Sequence, residues 1–203
     1  MSRRFFDTQN SLWYWISKVP DMLLLSLLWV LLSLPVLTLP AAWAALYDCI
    51  ARNMRRDEKG LYRRFFRTFR KELSRSLLIA PVWAAIAAVL FFGYQTITAQ
   101  ADQSSTMGIY ALVYQVSLLI PIAVFFWLIP IESRFVYSFS QLHKTAVAFT
   151  FSYLPRTALL LGLSFLAWVL CRYVPILTLL LPALLALLQS LVLEQVFDQY
   201  IPQ

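Results

Sequence analysis

Few residues in this chain could perform covalent or acid–base chemistry. His143 is the only histidine, and beside Lys144 it reads as a solvated or capping side chain. One histidine with the two dispersed cysteines, Cys49 and Cys171, cannot form a zinc site or a Cys–His pair at any usual spacing. The two cysteines are expected near opposite faces of the fold, too far apart for a disulfide. Gly60, Gly93, Gly108 and Gly162 are scattered, so no glycine-rich phosphate loop exists. The expectation is a non-enzymatic protein with no catalytic residue, no metal and no cofactor.

Polar side chains inside apolar runs remain as candidates. Asp48 lies well within such a run, and two readings stand for it. It meets Arg52 one helical turn later, or it marks an ion path. Glu132 and Glu194 end their apolar runs and are expected to reach outward to polar surroundings. Gln95, Gln115 and Gln189 either hydrogen-bond between helices or line a cavity. Asp48, Gln115 and Gln189 are therefore the candidates for a polar path. A single aspartate makes no proton relay, which counts against an ion-coupled pump.

The elements that must hold these residues follow from composition. Of 203 residues, 61% are apolar and only 13% charged, against roughly 45–50% and 25% in soluble domains. So much apolar side chain cannot be hidden in one soluble domain, and the excess must face lipid. The net charge of +7 does not point to nucleic acid, because ten of seventeen cations cluster in Arg52–Arg75 beside apolar runs. That is how a cytoplasmic loop looks under the positive-inside rule. Apolar segments at Met22–Leu39, Leu77–Thr98, Ile109–Ile131, Leu154–Cys171 and Val174–Leu193 each approach the ~20 residues that cross a bilayer as a helix. The predicted fold is all-α: one membrane domain over 1–203, a polytopic bundle of about five transmembrane helices with amphipathic interfacial helices.

Pro35, Thr38 and Pro40 set a bend in the first segment. Met22–Ala51 is apolar throughout, and as a straight helix of ~45 Å it would overshoot the bilayer. If the segment crosses once, cations divide thirteen inside to four outside; if it enters and returns, sixteen to one. A return helix of eleven residues is short, so five crossings with the N-terminus outside is the favoured expectation, with the basic loop and C-terminus cytoplasmic. Residues 1–20 read as an interfacial segment rather than a signal peptide, because the stretch is long and aromatic and Pro35 breaks the run behind it. The echo of Pro35–Leu39 (PVLTL) in Pro175–Leu179 (PILTL) reads as chance in a leucine-rich chain.

Residues 52–76 form the basic cytoplasmic segment. At ~100° per residue, Tyr62, Phe65, Phe66, Phe69 and Leu73 share one side of a helix and Arg63, Arg64, Arg67, Arg70, Lys71 and Arg75 the other. Such a helix is expected to lie on the inner leaflet, with aromatics in lipid and guanidinium groups over anionic headgroups. Its alternative role is docking to a partner, with Tyr62, Phe65, Phe66, Arg67, Phe69 and Arg70 as the docking set. Phe135–Phe151 is apolar enough to lie on the same surface. Ala80, Ala84 and Ala88 repeat every four residues and predict a close helix-packing seam.

Three stretches carry a family resemblance. SLLWVLLSLPVLTLPAAWAALY at Ser26–Tyr47, FFRTFRKELSRS at Phe65–Ser76 and SQLHKTAVAFTFSYLPRTALLL at Ser140–Leu161 resemble the YesL family of small bacterial membrane proteins. The chain departs from the family pattern at Ser26, Leu39 and Glu72-Leu73. That resemblance implies a bacterial cytoplasmic membrane and a neighbourhood of carbohydrate ABC importers, and it assigns no catalytic residue. The expected function is a non-enzymatic accessory subunit binding the transmembrane permeases of an oligosaccharide importer, with membrane lipids as the other partner. The alternative is an independent small-solute transporter or channel acting as a homo-oligomer.

Overall fold

The computed structural model describes residues 8–54, 60–101, 105–135 and 137–197. Their chain is helical, with no strand among the described residues. Eight α-helices follow in order: α1 Thr8–Ser33, α2 Leu39–Cys49, α3 Leu61–Ala101, α4 Ser105–Ser117, α5 Leu119–Arg134, α6 Phe139–Ser152, α7 Leu154–Tyr173 and α8 Leu181–Phe197. Among the described residues, three stretches are long and apolar enough to cross a membrane: Leu61–Ala99, Gly108–Arg134 and Leu154–Tyr173. The protein is thus a helical membrane protein, with Leu181–Phe197 as a further, shorter apolar helix among the described residues.

The first apolar segment is where the fold departs most from expectation. From Thr8 onward the expected interfacial segment belongs to the same helix as Met22–Ser33; residues 1–7 lie outside the described residues. A 3₁₀ turn at Val36–Thr38 follows, closed by Thr38 N–H donating to Pro35 O at 2.9 Å, and the Thr38 hydroxyl sits against the Leu32 and Pro35 carbonyls. Pro40 then starts α2, where a missing N–H is harmless. α2 runs back antiparallel to α3. Ala41 N–H meets Ser76 Oγ at 3.2 Å, Thr68 Oγ1 donates to Asp48 Oδ2 at 3.0 Å, and Cys49 Sγ lies 3.5 Å from Leu61 O. At the far end of the hairpin, Tyr62 Oη donates to Asp21 at 3.1 Å.

The paired part of the α1–α2 hairpin, from Asp21 and Cys49 to its turn, therefore lies along the first half of α3. Its depth matches the 62–76 stretch of α3, about 21 Å at 1.5 Å per residue, short of ~30 Å of hydrocarbon. Pro35, Thr38 and Pro40 reverse the chain instead of bending a crossing helix. An eleven-residue return helix is long enough because it only retraces that depth. α2 is held almost wholly by burial: Ala41, Ala42, Ala44 and Ala45 have essentially no exposed surface, and their small side chains let it sit against α1, α3 and α5. A π turn at Ile50–Met54 ends it.

From Leu61 onward the basic segment is the first part of α3, not a separate surface helix; residues 55–59 of that segment lie outside the described residues. α3 is 41 residues long, about 60 Å, and runs from the arginines into the apolar span without interruption. Gly60, at φ 89°, turns the chain into its first residue. The buried side of this half is Leu61, Phe65, Glu72, Ser76, Ile79 and Ala80, which recur on one face of the helix, and it faces α2. The real packing seam is thus one half-helix earlier than Ala80–Ala84–Ala88; only Ala80 is buried, while Ala84 and Ala88 are exposed. Further along, α3 approaches α4 where Gly93 leaves room for the Tyr114 ring, whose hydroxyl donates to Leu90 O at 2.9 Å.

α4 and α5 form one span broken at Leu118, three residues before Pro121, whose ring opposes the carbonyl of Ser117. α6 begins with a capping box: Ser138 Oγ accepts from Gln141 N–H, and Gln141 Oε1 accepts from Ser138 N–H at 3.2 Å. It buries Leu142, Ala146 and Thr150 against the core and packs on α5, while Phe139, Val147 and Phe151 remain exposed on its other side. The fifth apolar segment is not one helix. Pro175–Leu179 is a 3₁₀ turn, and α8 starts at Leu181.

The pentapeptide echo has a structural counterpart. Each copy forms a 3₁₀ turn, and each is followed by a helix beginning Leu-Pro-Ala. Neither helix has its own N-terminal side-chain cap bond to the third residue. Instead a buried serine from another helix accepts it: Ser76 Oγ from Ala41 N–H, and Ser26 Oγ from Ala183 N–H at 3.1 Å. Two helix–turn–helix hairpins, α1–α2 and α7–α8, are built the same way.

Candidate functional site

A polar layer, an apolar groove and a basic concavity are the features with functional potential. The polar layer sits where α2, α3, α5 and α8 meet. Arg134 makes a two-pronged pair with Glu194, its Nε donating to Oε1 at 2.8 Å and a terminal nitrogen to Oε2. Tyr47 Oη donates to the same carboxylate at 3.3 Å. Asp48 is paired with Arg52 at 2.8 Å as well as with Thr68. Glu72 is held by Lys71 at 3.1 Å, and Arg75 lies 4.0 Å from Glu132 while donating to the Tyr137 carbonyl.

Glu132 and Glu194 are both buried, contrary to their expected outward course. The termini of their helices are covered by neighbouring elements, and a cation from another helix meets each one there. Position at the end of an apolar run revealed the charge but not its partner, since Arg134 and Glu194 are 60 residues apart. Asp48 follows the Arg52 reading. Gln189 is buried in α8, with no hydrogen-bond partner for its amide among the described residues. Gln115 is exposed on α4, next to Tyr114. Tyr114 is tied to Leu90 and Asp48 to Thr68, points about 33 Å apart along α3. The candidate polar path is therefore not assembled.

The docking set divides. Phe65 has 0% exposure and packs among Leu25, Leu46 and Leu61; Phe69 is half-buried against the same cluster. These two hold α3 on α2 and are not available to a partner. Tyr62, Phe66, Arg67 and Arg70 face outward, with Phe66 48% exposed. Arg63, Phe66, Arg67 and Arg70 line an open concavity of about 560 Å³.

The apolar groove was not legible beforehand. It has a volume of about 360 Å³ and lies between α3 and α5, closed at one end by Val36 and Pro40. Ala80, Ala84 and Ala87 form one wall, and Pro121, Phe125 and Phe126 the other. Of the alanines that predicted a seam, Ala80 and Ala84 border this space. Trp83 also lines the groove, with its indole N–H donating to His143 Nε2 at 3.3 Å and its ring stacked 6.2 Å from the imidazole. The sole histidine is thus a packing partner of a groove residue. Among the described residues no three His, Cys, Asp or Glu side chains gather as a metal site would require.

These features define a helical membrane protein whose buried charges bind its own helices together. Residues 22–94 match the model of a family described as a protein of unknown function, DUF624. The chain is similar to that family over the α1–α2 hairpin and most of α3, which is consistent with a YesL-like DUF624 membrane protein. No curated protein and no solved structure matches the chain.

Proposed function

We propose that the protein is a non-enzymatic accessory subunit of a bacterial cytoplasmic-membrane import system, and that it docks a transmembrane helix of a permease in the groove between α3 and α5. The observation that carries this reading is the groove itself. Ala84 and Ala87 stand open beside the buried Ala80 on a helix apolar enough to cross a membrane, and small side chains of this kind let a second helix approach closely. Residues 80–90 extend about 15 Å, or three helical turns of contact. The carbohydrate class of the cargo rests on the YesL resemblance, and so does the ABC character of the permeases.

The alternative, a solute transporter acting alone as a homo-oligomer, receives less support. Its candidate path residues are spread over the molecule, and Asp48 is engaged by Arg52 and Thr68. Copurification in mild detergent from the native host tests the proposal. Tagged protein is expected to recover permease subunits at fixed ratio, and Ala84→Trp, which fills the groove, to reduce that recovery at least tenfold while leaving the protein monodisperse. Recovery of the protein by itself as a defined oligomer would overturn the accessory reading; equal recovery by wild type and Ala84→Trp would overturn the groove as its contact.

A further inference from the structure

We infer that Arg63, Phe66, Arg67 and Arg70 form a binding site for the phosphate headgroup of an anionic phospholipid. Positions 63, 67 and 70 fall within a narrow arc of α3, so three guanidinium groups point the same way. All three are exposed and line one concavity with Phe66. None has an ion-pair or hydrogen-bond partner among the described residues, whereas Arg52, Arg75 and Arg134 do. Charge complementarity calls for an anion, and planar guanidinium forks match phosphate oxygens in a two-pronged fashion.

The neighbourhood selects lipid over a soluble anion. The Tyr62–Asp21 hydrogen bond ties the start of α3 to α1. Immediately beyond Asp21, α1 exposes Leu23, Leu24, Leu27 and Leu31, an apolar face fit only for hydrocarbon. The arginines therefore stand beside the beginning of a lipid-facing surface, at the height where headgroups lie. Phe66 and Tyr62, both exposed between them, suit that boundary, because aromatic rings favour the interface. Arg63 to Arg70 covers about 10 Å of helix, enough for two phosphates.

The test uses the full chain in detergent, titrated with short-chain phosphatidylglycerol, phosphatidylcholine or inorganic phosphate, with bound molecules counted by native mass spectrometry. Phosphatidylglycerol is expected to bind at least tenfold more tightly than phosphatidylcholine. Arg63→Gln/Arg67→Gln/Arg70→Gln should weaken phosphatidylglycerol roughly 100-fold, while Arg172→Gln, at an exposed arginine elsewhere, leaves it unchanged. The wild-type lipid preference is read without any variant, so a misfolded triple variant does not shield the proposal. Equal affinity for the two lipids would overturn it. Inorganic phosphate binding as tightly as phosphatidylglycerol would replace the headgroup with a free anion. Loss of permease copurification in the triple variant, with lipid affinity intact, would make the face an acidic-protein contact instead.

Discussion

Arg134→Met will lower the free energy of unfolding by about 3–5 kcal/mol, the usual effect of leaving a buried carboxylate without its cation. The Arg134 side chain is only 6% exposed and the Glu194 side chain 2%, so neither charge can turn to water when the other is removed. Tyr47 donates to the same carboxylate from α2, and the pair joins α5 to α8; losing it unlocks three helices at once. Replacing both charges should be less damaging than replacing one. Two apolar side chains of similar volume need no compensation in a buried site, and such double exchanges are often near neutral. Denaturant titration in mixed micelles, followed by helical circular dichroism, measures both variants. A double variant no more stable than Arg134→Met would show that the pair does something other than neutralise buried charge.

The second large effect separates two neighbouring phenylalanines. Phe65→Ala should destabilise the fold by about 3–5 kcal/mol, because a fully buried aromatic leaves a cavity that rigid helices fill only in part. Phe66→Ala, at a half-exposed position, should change stability by no more than about 0.5 kcal/mol. The same micelle titration reads both. Equal effects at 65 and 66 would mean that α3 is rotated about its axis relative to the packing described. This distinction also governs the design of binding experiments, since a combined Phe65/Phe66/Phe69 alanine variant would lose association by unfolding.

How much of this was legible in the sequence depends on the kind of information. Helix content and membrane residence follow from composition and segment length, which are one-dimensional properties, and both are found. The α1–α2 reversal was not chosen in advance, although charge counting favoured it. An eleven-residue helix is too short to cross a bilayer, and only contact with α3 reveals that it does not have to. The hydrophobic arc of α3 is correctly drawn at Phe65 and Phe69, but periodicity cannot tell whether an apolar face meets lipid, a partner or the protein's own α2. Ala80, Ala84 and Ala88 show the same limit: a small-residue repeat permits close packing without supplying the helix that packs. The Arg134–Glu194 pair and the serine caps from Ser26 and Ser76 join residues distant in the chain, and no local pattern announces such partners.

The central claim is that the groove between α3 and α5 receives a helix of another protein. A photo-crosslinking amino acid at position 84, on the groove wall, tests it in native membranes. A second placed at position 165, where Phe165 is exposed on α7, reports on ordinary lipid-facing surface. A single heavier adduct containing a permease subunit is expected from position 84 and none from position 165. Adducts only with lipid at both positions, or only with a second copy of this chain, would contradict it.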